Sequence, residues 1–251
     1  MSGKHPAVWL AATLAILGCG GGNPVAPLPA LPADNPHEWL QETRPLSGVR
    51  GVILDMETVC DLRIEQGASE SIWIRADETV LPWLDTTVHN GVLELRYPWQ
   101  VDPSKRPPKS VQLALTVVDL DILELRDNGT ISVSRLAVDR LALRSMGAGE
   151  IVLSDLSAQE LEVEVLAGGG VHATGVVDRQ RSRLGGGGAY DGVGLASREA
   201  DVEISHTGSA TVRVSERLRA TIRGSGSVLY YGNPEVESLV SGSGEVVRLG
   251  D

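Results

Sequence analysis

The chain has 251 residues, with 33 acidic against 22 basic side chains and a formal charge of −11 at neutral pH. That balance excludes a nucleic-acid binder working by phosphate neutralisation. The 42% hydrophobic content excludes a disordered polymer, and two cysteines exclude a disulfide scaffold. What is left is an aromatic-poor β protein, with 29 glycines and no phenylalanine, long enough for one real core.

In chain order, Lys4 and His5 precede an apolar run over 7–17. Its eleven residues are too few for a membrane-spanning helix, which needs about 20. They fit the apolar core of a secretory signal. The run ends in Ile16-Leu17-Gly18-Cys19, which resembles the lipobox of bacterial lipoproteins, with Leu17 bulkier than usual at its position. The resemblance implies a signal peptide over 1–18, cleavage before Cys19, and attachment to a membrane through acyl chains on that cysteine. Gly20 follows where an aspartate often marks inner-membrane retention, so the expected location is the outer membrane of a bacterial envelope, surface-exposed or facing the periplasm. Cys60 is then the lone thiol. Residues 19–45 read as a tether, since five prolines between 24 and 36 favour extended polyproline II at about 3.1 Å per residue.

The folded domain is expected in two halves, 46–118 and 119–251. In the first, Val52/Leu54, Leu62/Ile64 and Ile72/Ile74 alternate as in strands, and Asn90-Gly91 marks a hairpin turn. A proline-rich loop over 98–108 leads to the alternating Val111, Leu113, Leu115 and Val117. In the second half only Pro234 interrupts, and 20 of the 29 glycines lie beyond residue 128. Gly129, Gly149, Gly169 or Gly170, Gly187 or Gly188, Gly208, Gly226 and Gly244 recur every 18–21 residues, each flanked by alternating apolar residues. The repeat LGGGGAYDG fits least well. Such a period is the signature of a solenoid. The expected fold is therefore all-β: a single-stranded β-solenoid, with a right-handed coil expected, behind an N-terminal antiparallel or irregular β cap. The glycines then serve positive φ or close backbone approach at coil corners.

The segments LSGVRGVILDMETVCDLRIEQG and SIWIRADETVLPWLDTTVHNGVLELRY, with the closing GSGSVLYYGNPEVESLVSGSGEVVRLG, resemble the bacterial head GIN domain family of auto-transporter adhesin-like proteins. The resemblance spans about 46–249. It implies a β-helix-like domain, often secreted or lipid-anchored, and carries no known catalytic residues.

Candidate sites are few. Arg126, Arg144, Arg183 and Arg223 precede the phased glycines and could form a stripe for acidic glycans, or a solvated face paired with nearby carboxylates. Trp73, Trp83 and Trp99 could stack on sugars or fill a cap over the solenoid end. Asp127, Asp155, Asp178, Asp191 and Asp201 fall at different phases and are not expected to converge. His172 and His206 are not expected to stack, and no histidine spacing suits a metal. Cofactors and metals are therefore expected to be absent. The oligoglycine runs lack the strand, helix and lysine of a phosphate loop. The function that follows is a non-enzymatic, lipid-anchored envelope protein presenting a binding surface to a glycan or an envelope protein. A carbohydrate-active β-helix enzyme and a periplasmic structural or envelope-stress protein are the alternatives.

Overall fold

The structure is a computed structural model and describes residues 38–56, 60–96 and 111–251. The signal segment, Cys19, most of the tether, the 98–108 loop and Trp99 lie outside the described residues. The strands are β1 (Trp39–Pro45), β2 (Gly51–Asp55), β3 (Asp61–Gln66), β4 (Ser71–Asp77), β5 (Val88–His89), β6 (Val92–Arg96), β7 (Val111–Val117), β8 (Ile122–Leu125), β9 (Thr130–Ser134) and β10 (Ala137–Ser145). Then come β11 (Glu150–Val165), β12 (Gly170–Leu184), β13 (Ala189–Ile204), β14 (Ser209–Ile222), β15 (Ser227–Tyr231), β16 (Glu235–Val240) and β17 (Glu245–Gly250). A 3-10 turn covers Leu81–Trp83. Among the described residues no helix is long and apolar enough to cross a membrane.

The architecture is the expected β-solenoid. Glu150 lies beside Thr130 of the coil before and Gly170 of the coil after, so one turn takes twenty residues there. It shortens to eighteen at the end, where Ser227 lies beside Ser209 and Glu245. All these pairings are parallel, and bends within β11 to β14 carry each strand from one face to the next.

Alternation decides what is inside. Leu125, Ser145, Val165, Leu184, Ile204, Ile222 and Val240 form one inward ladder. Ile131, Ile151, Val171, Tyr190, Ala210, Val228 and Val246 form another. Nearly all are buried until the last coil. Stacking like side chains one strand spacing apart, about 4.8 Å, fills a narrow core without large aromatics.

The phased glycines work by close approach, not positive φ. A Cβ at Gly149 would sit 2.3 Å from the Gly129 oxygen, at Gly188 2.2 Å from the Gly169 oxygen, and at Gly226 2.4 Å from the Gly208 oxygen. Each corner glycine thus rests on the carbonyl of the one before, and that carbonyl also accepts the next amide, as in Glu150 N–H to Gly129 O at 3.0 Å. The members left open by the sequence are Gly169 and Gly188; a Cβ on Gly170 would meet nothing.

The fourth repeat departs because it houses a tyrosine. Tyr190 is buried, and its hydroxyl donates to Gln180 Oε1 at 2.8 Å. Gln180 Nε2 donates to Ser197 Oγ at 2.8 Å, and Ser197 donates to the Arg213 carbonyl at 2.9 Å. Room comes from Gly192, whose Cβ would lie 3.0 Å from the tyrosine oxygen, and from Ala210 beside it in the ladder.

The N-terminal half adds coils as well as a cap. β2 lies in parallel between β6 and β8, and β3 between β7 and β9. The coil latest in this half is therefore outermost, and the earliest is sandwiched beneath it. Outside β7 the sheet turns antiparallel through β4 and then β1. Residues 39–45, assigned above to the tether, are thus strand. Their polar sequence hid this because β1 pairs through its backbone and buries little. Val80, Leu81 and Leu84 bury into the core at this end, and the Arg44 guanidinium donates to the Leu81 and Leu84 carbonyls.

Candidate functional site

The outward face formed by the second halves of the long strands is densely charged, and its order follows from register. One ladder reads Arg140, Glu160, Arg179, Glu199, Arg217, Glu235. The next reads Glu162, Arg181, Asp201, Arg219, Glu237, and a third Glu124, Arg144, Glu164, Arg183, Glu203. In all three the sign reverses at every coil. Interior carboxylates have an arginine on each side. Glu199 meets Arg179 at 3.2 Å and Arg217 at 3.3 Å, and Glu164 meets Arg144 at 2.8 Å and Arg183 at 3.7 Å.

The four arginines singled out from sequence fall on two ladders. Arg144 and Arg183 share the third, with Glu164 between them. Arg126 and Arg223 stand two residues further along, at the strand ends. Arg126 binds Glu124 at 2.6 Å, Glu94 at 2.9 Å and Asp55 at 3.4 Å, and Arg223 binds Glu203. Hydrogen bonding to Glu124 raises the Arg126 pKa above the ordinary guanidinium range, and hydrogen bonding to Glu164 does the same for Arg144. These side chains form a paired lattice of mixed sign. Exposed pairs of this kind contribute about 0.2–1 kcal/mol each, so the lattice specifies register more than it stabilises.

Trp73 and Trp83 lie on the cap. Trp73 is flanked by Thr43 of β1 and Ala114 of β7, and Trp83 ends the 3-10 turn, 54% exposed. Trp39, not singled out from sequence, joins them there with Arg75 over its ring at 5.8 Å. The five aspartates are dispersed. Asp201 sits between Arg181 and Arg219, Asp191 beside His172, and Asp155 at a strand irregularity with φ 59°. Asp127 offers its carbonyl at a corner, and Asp178 lines a polar hollow with Arg179 and Arg198. His172 bridges Glu150 and Asp191, each at 3.2 Å. Among the described residues no three His, Cys, Asp or Glu side chains group as a metal site. Cys60 is buried, and desolvation pushes its thiol up to about 12.

Among the described residues an open, largely apolar cleft of about 400 Å³ is bounded by Val176, Ala196, Val214 and Gly232. Arg213, which stacks on Tyr231 at 5.0 Å, forms its wall. Sequence reasoning missed this cleft, because it arises where β12 to β14 slip register.

Fold and surface together define a class: a parallel β-solenoid capped at its N-terminal end, with a repeating mixed-charge face. A family model described as "Putative auto-transporter adhesin, head GIN domain" matches residues 54–234. The chain belongs to that head GIN domain family, as its opening and closing segments suggested. Among solved structures, a "putative adhesin" from Bacteroides fragilis aligns with a TM-score of 0.75 and 21% identity, over 84% of this chain and 97% of that one. A "Putative lipid binding protein" from Parabacteroides distasonis aligns at 0.69 and 20% identity, covering 84% and 96%. A "putative adhesin" from Parabacteroides merdae aligns at 0.64 and 18% identity, with the same coverages. At these identities the likeness is one of fold. No curated protein matches the chain.

Proposed function

We propose that this chain is a lipid-anchored, non-enzymatic protein of the bacterial cell envelope whose solenoid presents a binding surface. The observation that carries the reading is the surface itself. Its charged side chains repeat at one strand spacing over successive coils, with arginine and carboxylate alternating along each ladder, while Asp127, Asp155, Asp178, Asp191 and Asp201 stay dispersed. A periodic face suits an extended ligand such as a glycan or another envelope protein. The family's adhesin description and the relatives called adhesins favour the same role. The signal-like segment and Cys19 supply the anchor, and Gly20 after it favours the outer membrane.

Two measurements on one culture test this. Fatty-acid labelling should mark the wild-type chain and not Cys19→Ser. Protease added to intact cells should remove the domain, and surface display would justify glycan screens. An unlabelled wild type would overturn the anchor. A domain digested only after the outer membrane is opened would overturn adhesion and favour a periplasmic partner. Turnover of any envelope polymer by the purified protein would overturn the non-enzymatic role.

A further inference from the structure

The two ends of the solenoid are unlike. At the N-terminal end the last inward residues, Leu93, Leu95, Leu113 and Leu115, are sealed. At the C-terminal end Val236 and Val240 occupy the same inward ladders as Leu218 and Ile222, yet they are 38% and 41% exposed where those are fully buried. Among the described residues, β16 pairs with β14 and β17 with β15, and no strand lies beyond either.

The open edge has a definite hydrogen-bonding face. Ser241 N–H donates back to the Ile222 carbonyl at 2.7 Å. Backbone groups of a parallel strand point alternately to its two sides. The N–H and C=O groups of Val236, Ser238 and Val240 therefore point outward along the solenoid axis. Natural edges are usually blunted by proline, a bulge, a covering loop or charged side chains; of these, β16 (EVESLV) carries only its two glutamates among the described residues, which leaves the edge open to a cationic strand.

The edge also has a definite charge. Two of the alternating ladders end there, both on carboxylates, Glu235 and Glu237. Glu237 meets Arg219 at 3.2 Å on its inner side, and its outer side faces the open edge. Interior Glu199 has an arginine on both sides. The position beyond each terminal glutamate is where the pattern places a cation.

We infer that the open C-terminal coil is a docking edge for an extended polypeptide segment with cationic side chains at alternate positions and small apolar ones between. The segment adds a strand to β16. Its backbone meets the outward N–H and C=O groups, its cations continue the ladders past Glu235 and Glu237, and its apolar residues cover Val236 and Val240. A second copy meeting β16 to β16 would set these glutamates against their own kind, and like charges directly opposite are destabilising. The inference deepens the binding role proposed above, on which it rests, and is independent of the lipid anchor.

The test uses the purified full chain and a ten-residue probe peptide alternating lysine with valine or threonine. Two control peptides replace lysine by glutamate, or keep the composition and group the lysines together. Saturable binding of the alternating peptide is expected in calorimetry, and neither control should bind comparably. Glu235→Lys/Glu237→Lys should weaken it tenfold or more. Ser238→Pro should abolish it without unfolding the domain, since that N–H faces the open edge and no existing pairing is lost. Equal binding of the grouped peptide would reduce the effect to net charge and overturn the inference, as would indifference to the variants. A dimer that Ser238→Pro dissociates would assign the edge to a second copy and overturn it too. The cell-based measurements above can fail independently of this one.

Discussion

Gly169 and Gly170 are adjacent and equally plausible as corner residues, yet they should respond oppositely to alanine. A Cβ on Gly169 would lie 2.5 Å from the Gly149 oxygen, 2.6 Å from Ser145 Oγ and 2.9 Å from the Gly147 oxygen. Two of these are backbone atoms, and a relaxed contact needs several tenths of an ångström more. The Gly149 oxygen cannot retreat freely, because it accepts the Gly170 amide at 3.1 Å. Overpacking of a fixed interior costs about 1–3 kcal/mol, and weakening a ladder hydrogen bond about 0.5–1.5 kcal/mol. Gly169→Ala should therefore destabilise by about 2–4 kcal/mol. A Cβ on Gly170 meets nothing within 4 Å, and its φ lies outside the left-handed region. Gly170→Ala should be neutral or stabilise by about 0.4–1 kcal/mol, through the entropy of the unfolded chain. In urea, with a slope of about 2 kcal/mol/M, the first variant should lose about 1–2 M in midpoint while the second holds or gains. Equal shifts, or a larger loss at Gly170, would refute the close-approach account.

Tyr190→Phe keeps the ring but leaves Gln180 Oε1 buried without its donor; a loss of about 1–3 kcal/mol is expected in the same titration, against about 3–5 kcal/mol for Tyr190→Ala. Cys60 is buried with its thiol raised from about 9 to about 12 by desolvation. The folded state therefore holds that proton more tightly than the unfolded one, so this contribution is intact below about pH 9 and is lost as pH rises towards about 12. At pH 8 a thiol reagent should label Cys60 only as fast as the chain opens, and rapid labelling of the folded protein would contradict its burial.

Much of this architecture was legible in the sequence because coil-to-coil contact at a fixed offset writes itself as a period. Glycines recur where each corner sits on the last, and the inward ladders show as alternation. Which glycine of a pair touches the previous coil was not legible, since neighbours in sequence differ only in three-dimensional clearance. The charge lattice was half visible. Counting arginines relative to the glycines found Arg144 and Arg183, but the carboxylates between them at the same phase went uncounted, and offsets of 18 to 20 residues blur the remaining alignment. Tyr190 disturbed its repeat because one large side chain requires Gly192 and Ala210 around it. The coils of the N-terminal half left no period at all, since their partners lie at unequal distances along the chain.

Those unequal distances bear on how the chain folds. Gly51 lies beside Val92 and Ile122, 41 and 71 residues later, whereas Glu150 finds both neighbours within twenty. During synthesis at about 5–20 residues per second, β2 waits roughly 2–8 s with both edges bare and roughly 4–14 s before its second neighbour exists. The coils after β9 face no such delay, because each can zip onto the one just made. Folding should then be slow to start and quick to propagate, with the rate set by the long-range closure of β2 between β6 and β8. Shortening the chain from its C-terminus would remove coils one at a time, while loss of β2 would take away the seat on which all later coils are laid.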